Sequence, residues 1–123
     1  MVGWFEIPVT DMDRAKKIYE NVFKTEINVM EFGGEMMGFF PFAEDPEAKG
    51  AGGALVKKEG LYTPSADGVL IYFSCKELTV ELNKVEAAGG KVLLEKMLIS
   101  EYVGYMGLFL DSEGNRIALH SRE

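Results

Sequence analysis

The chain has 123 residues, 47% of them hydrophobic and 27% charged, a balance typical of a soluble globular domain and too apolar for a disordered one. Thirteen Lys and Arg against 20 Asp and Glu leave a net charge of −7, which excludes the basic face that nucleic-acid binding requires. The single cysteine, Cys75, excludes an intrachain disulfide and a cysteine-based zinc cluster. No apolar run approaches the roughly 18–20 residues of a membrane span, and Met1 to Pro8 lacks the basic-then-apolar order of a leader, so a cytoplasmic protein is the expectation.

Val2 to Val9 mixes Val, Trp, Phe and Ile with enough alternation for a strand. Thr10 and Asp11 offer an N-cap, and Met12, Ala15, Ile18 or Tyr19, Val22 and Phe23 then recur at helical spacing up to about Lys24. Ile27–Phe32, Gly33-Gly34 and Met36–Phe42 read as a hairpin, Glu44 to Gly50 as a loop, and Ala51 to Lys58 as a short strand. In the second half, Val69 to Cys75 is a strand and Glu77 to Ala88 a helix with Leu78, Leu82 and Val85 on one face, closed by Gly89-Gly90. Lys91 to Ile99 and Val103 to Leu110 are further strands, Asp111 to Asn115 a tight turn, and Arg116 to Ser121 the last strand.

The order strand, helix, strand, strand, strand therefore occurs twice. An offset of 66 residues superposes Ile7 on Phe73, Val9 on Cys75, Met12 on Leu78 and Tyr19 on Val85. One domain over 1–123 is expected, with module 1 at about 1–59, a linker at about 60–67 containing Pro64, and module 2 at about 68–123. The fold class is α+β, two tandem βαβββ modules.

The residues Phe5 to Ala15, Tyr19 to Phe23, Val85 to Val92 and Asp111-Ser112-Glu113-Gly114-Asn115-Arg116-Ile117 resemble the vicinal oxygen chelate superfamily of glyoxalase I, bleomycin-resistance proteins, fosfomycin-resistance enzymes and extradiol dioxygenases. The likeness covers nearly the whole chain and is nearest to the bacterial branch related to lactoylglutathione lyase. It implies modules that curl into an incomplete barrel around a cavity, a homodimer, and a small-molecule ligand. Members with chemistry hold a divalent metal through His and Glu side chains near the first and last strand of each module, where it polarises a carbonyl or chelates vicinal oxygens.

Carried over residue by residue, those metal positions fall on Trp4, Gly53 (with Ala54 one residue away), Leu70 and Ala118, and none of these side chains can ligate an ion. His120 is the only histidine. No cofactor is therefore expected, and Zn, Ni, Mn or Fe would need a non-standard site. Two functional readings stay open: a lyase or isomerase of the lactoylglutathione lyase type, and a binding protein that sequesters its ligand as bleomycin-resistance members do.

Residues two apart on a strand share a face. If Trp4 faces inward, so do Glu6 and Pro8; Leu70, Tyr72 and Ser74 form the matching set, and Ala118 brings His120 with it. Phe39 and Tyr105 on the hairpins are further candidates, giving Trp4, Phe39, Tyr72, Ser74 and Tyr105 as ligand-binding residues by stacking and hydrogen bonding. Glu6 and His120 are the candidate catalytic pair. They can bond each other or solvent at the rim, hold polar groups of the ligand, or exchange protons with it or hold a displaced metal. Cys75 falls on the helix-facing side and reads as a buried structural thiol.

Overall fold

The computed structural model describes residues 2–41 and 50–123. The order is β1 (Trp4–Pro8), α1 (Met12–Phe23), β2 (Asn28–Phe32), β3 (Glu35–Phe39), β4 (Gly52–Lys57), then β5 (Ile71–Ser74), α2 (Leu78–Leu82), β6 (Lys91–Ser100), β7 (Gly104–Leu110) and β8 (Arg116–Ser121). Each module forms its own four-stranded mixed sheet, β1-β4-β3-β2 and β5-β8-β7-β6. In both, the first strand pairs in parallel with the last, Glu6 opposite Ala54 and Tyr72 opposite Ala118. The repeat read from the sequence is thus a repeat of topology.

Local chemistry explains the elements. Asp11 is the N-cap of α1, its carboxylate accepting the Arg14 amide, and Lys24 closes the helix in the left-handed region at φ 49°. Met12, Ala15, Ile18, Tyr19 and Val22 form the buried stripe. The β2–β3 hairpin turns on Gly33 and Gly34 at φ 49° and 90°, two positive values in succession that a tight two-residue hairpin needs. The loop read at Glu44 to Gly50 lies, except for Gly50, outside the described residues.

The second helix is shorter than its periodicity predicts. Regular α-helix ends at Leu82, and residues 83–89 continue as turns whose amides bond three or four residues back, Lys84 to Glu81, Val85 to Leu82, Ala88 to Lys84 and Val85. Its N-cap, Glu77, makes no side-chain cap bond, because its carboxylate is taken by Thr79 Oγ1 and Lys96 Nζ. Leu78, Leu82 and Val85 are still fully buried, so the apolar face survives the change in hydrogen bonding.

One core spans both modules. Ile7, Val9 and Leu55 meet α1 residues on one side, while Phe109, Ile117 and Leu119 meet Leu78, Leu82 and Val85 on the other. The join is aromatic: Phe5 of β1 packs edge-on to Phe73 of β5 at 5.8 Å, and Phe23 of α1 lies 4.6 Å from the same ring. Gly53 sits on this helix-facing side, where a Cβ would lie 2.5 Å from the Phe5 ring. The inward residue of β4 is therefore Ala54, opposite Glu6, the one-residue alternative to Gly53.

Candidate functional site

The first strands of the two modules, β1 and β5, are the edges of their sheets. A cleft of about 870 Å³ lies between them, within the range of small-molecule sites. Trp4, Glu6, Leu70, Tyr72, Ser74 and Arg116 line it, and the Phe5, Phe40 and Phe73 rings contribute apolar wall. Trp4 and Tyr72 both keep exposed surface at the cleft, Trp4 while packing against Phe39.

Four of the expected site residues, Trp4, Glu6, Tyr72 and Ser74, thus share this cleft. The others stand elsewhere. Phe39 lines a second cavity with Lys16, Glu20, Met30 and Phe40, although its ring centre is 6.2 Å from that of Trp4. Tyr105 lies opposite Ser121, whose hydroxyl accepts the Leu78 amide, which puts both on the helix side of β7 and β8. The Tyr105 ring packs against the core and carries the Lys96 ammonium 4.4 Å above its centre, so the residue does not face the concave side. Its neighbour Met106, opposite His120, takes that place.

Glu6 and His120 have separate partners. Glu6 accepts the Tyr62 hydroxyl at 2.7 Å and Trp4 Nε1–H at 3.3 Å. The Glu6 hydrogen bond, with burial and the Glu6 and Glu35 charges, raises the Tyr62 phenol above its usual pKa, so Tyr62 stays the proton donor. His120 Nε2 is 2.6 Å from the Val103 carbonyl, which fixes Nε2 as a donor, and His120 is not among the residues lining the cleft. Tyr62 belongs to the segment that reads as linker, and no local pattern singles it out. Arg116 was legible: the alternation that turns Ala118 and His120 inward also turns Arg116 inward.

The turn between β7 and β8 ties the site together. Asp111 accepts the Glu113 and Asn115 amides, each at 2.9 Å, while Asn115 donates its side-chain amide to the Pro8 carbonyl at the end of β1 and accepts the Ser65 amide of the linker. Glu113 accepts the Thr10 and Asp11 amides, each at 2.8 Å, and Arg14 Nε at 2.6 Å. The motif therefore fixes the spacing of β1 and β8 across the two modules.

The family metal does not fit the residues present. Trp4, Ala54, Leu70 and Ala118 carry no ligating atom, and among the described residues no three His, Cys, Asp or Glu side chains gather as a metal would need. Cys75 is not a reactive centre either: burial, helped by Glu81 and Glu77, pushes its thiol up to about 12. No helix among the described residues is long and apolar enough to cross a membrane.

The comparisons agree with this architecture. Residues 1–119 match the model of the Glyoxalase/Bleomycin resistance protein/Dioxygenase superfamily. A glyoxylase-like domain-containing protein of Didymella fabae is 27% identical over 98% of this chain and 93% of its own length. Among solved structures, a glyoxalase/bleomycin resistance protein from Albidiferax ferrireducens superposes with a TM-score of 0.70 at 18% identity, over 100% of this chain and 99% of that one. A Frankia glyoxylase/bleomycin resistance protein/dioxygenase domain gives 0.73 at 15% identity, over 98% and 96%. Glyoxalase I from Zea mays, as its E144Q mutant, gives 0.72 at 16% identity over 98% of this chain, which spans only 46% of the maize protein. The chain belongs to the Glyoxalase/Bleomycin resistance protein/Dioxygenase superfamily.

Proposed function

We propose that this glyoxalase-related chain binds a small organic molecule in the cleft between β1 and β5, without the His/Glu metal site of its catalytic relatives. The observation that carries the reading is the pairing of an open cleft, flanked by the Trp4 and Tyr72 rings, with apolar residues at the family's metal positions. Such a site recognises its ligand by stacking and a few hydrogen bonds and holds no ion to polarise a substrate oxygen.

The test uses Trp4, the only tryptophan in the chain, as an energy donor to the neutral probe N-phenyl-1-naphthylamine. Saturable sensitised emission, weakened about ten-fold by Tyr72→Ala, is the expected result. Metal analysis and a hemithioacetal isomerisation assay run beside it. Stoichiometric Zn or Ni with turnover would establish the lyase reading instead.

The assembly that fits is a homodimer. Met30 and Phe32 on β2, and Leu93, Met97, Leu98 and Ile99 on β6, are large apolar side chains left exposed by one chain. A second copy covering them would remove an apolar surface that monomers rarely carry. Sedimentation of the native protein and of Met97→Glu distinguishes the states: the proposal expects a dimer that the charge dissociates.

A further inference from the structure

We propose that Arg116 is the anion-recognition residue of the cleft and that the ligand carries a carboxylate or phosphate group. This rests on the cleft being the ligand site. Arg116 opens β8 and lines the cleft. Its Nε atom is buried without a hydrogen-bond partner among the described residues, and its guanidinium makes no ion pair there. A buried guanidinium N–H with no acceptor is costly, since the desolvated donor recovers nothing for the water it has lost. Nε is closed off from the cleft as well as from water, so a ligand would meet the guanidinium through its terminal amino groups, a planar pair of donors matched to an oxyanion through two parallel hydrogen bonds.

The surroundings agree. The neighbouring donor Asn115 is fully engaged with Pro8, Asp111 and Ser65, so it does not compete for the ligand and holds the start of β8 in place. The hydroxyl residues Thr63 and Ser74 line the same cleft and can add donors to a bound oxyanion. Among the described residues the other charged group lining it is Glu6, whose two oxygens already accept from Tyr62 and Trp4. The chain as a whole is acidic at −7, so anion selection has to come from a local group, and among the described residues Arg116 is the cation that lines the cleft. The ligand that suits these features has an apolar, ring-sized body against Trp4 and Tyr72 and one oxyanion at Arg116.

The experiment is displacement of N-phenyl-1-naphthylamine by three probes built on one phenyl ring: benzoate, phenyl phosphate and the neutral benzamide, the isostere of benzoate. The native protein is compared with Arg116→Gln and Arg116→Lys, each checked for an unchanged circular dichroism spectrum. An anion should displace the probe at about ten-fold lower concentration than benzamide, the advantage vanishing in Arg116→Gln and persisting in part in Arg116→Lys. Whether benzoate or phenyl phosphate shows it identifies the oxyanion as carboxylate or phosphate. Equal displacement by anions and benzamide, or an advantage that survives Arg116→Gln, overturns the role of Arg116 while leaving the cleft as the ligand site. Failure of the neutral probe to bind overturns both.

Discussion

The Tyr19 hydroxyl, on the first helix, donates a 2.6 Å hydrogen bond to Asp111 Oδ2, in the last turn of the second module. Both residues are buried, and 92 positions of sequence separate them. Burial, with the Asp111 charge and hydrogen bond, raises the Tyr19 phenol well above its usual pKa, so it remains a donor at any ordinary pH. The bond links the two modules across the core they share. Tyr19→Phe keeps the ring contacts with Phe23, Phe40 and Phe73 but leaves Asp111 one donor short. It should cost about 1.5–3 kcal/mol, read as a lower urea midpoint with an unchanged slope. Two separated transitions in the variant would show that this bond, and not the shared aromatic core, is what couples the modules.

Glu113 gives the interface its acid sensitivity. Burial alone would raise this carboxyl, but the Arg14 hydrogen bond and the donors of Asp11 and Thr10 outweigh it and hold the pKa at about 2. A carboxyl with a folded pKa below its unfolded value stabilises fully above the unfolded value, here near 4.5, and the contribution fades as pH falls toward about 2. Glu113→Ala should therefore lower stability by about 2–4 kcal/mol at neutral pH, and the gap from the native protein should close on acidification through that window. A gap independent of pH would mean that Glu113 acts through packing alone.

Particular residues show how far the sequence could be read. Period-two and period-3.6 patterns reported the parity of Ile7 and Ala118 and the stripe of α1 because burial selects residue types one face at a time. The same patterns could not show that amides after Leu82 turn to carbonyls three residues back, because Leu78, Leu82 and Val85 stay on one buried face whether or not the helix remains regular. The face of Tyr105 is not legible locally, because an amphipathic tyrosine suits either side of a strand; its in-register pairing with Ser121 of β8 settles it. Partners brought from far along the chain leave no periodic trace: Tyr62 reaches Glu6 across 56 residues. The face of a strand is a local property, and the identity of the partner across a cleft is not.

The thiol of Cys75 offers an independent check on the packing beneath β5. Burial, Glu81 and Glu77 keep it protonated, with its pKa pushed up to about 12, and only the thiolate reacts. At about pH 8 the native protein should react with a disulfide reagent at least ten-fold more slowly than a free thiol, and at the ordinary rate once urea unfolds it. Rapid stoichiometric labelling of the folded protein would place the sulfur outside this environment.

His120 separates a structural histidine from a working one. Its Nε2–H is committed to the Val103 carbonyl at 2.6 Å, holding the loop between β6 and β7 to β8, and the side chain does not line the cleft. Glu6 lies in that cleft and accepts from Tyr62 and Trp4. His120→Ala should thus lower stability by about 1 kcal/mol while leaving probe affinity within about two-fold of native. Glu6→Gln keeps the shape of the side chain but removes a negative charge from the cleft, so it should tighten benzoate binding relative to benzamide several-fold. A His120→Ala variant that folds normally yet loses ligand would return the imidazole to the site, and the carboxylate would then have to be tested with it as a pair. A fall in benzoate affinity in Glu6→Gln would instead mean that the carboxylate serves the site by holding Tyr62 and Trp4 in place.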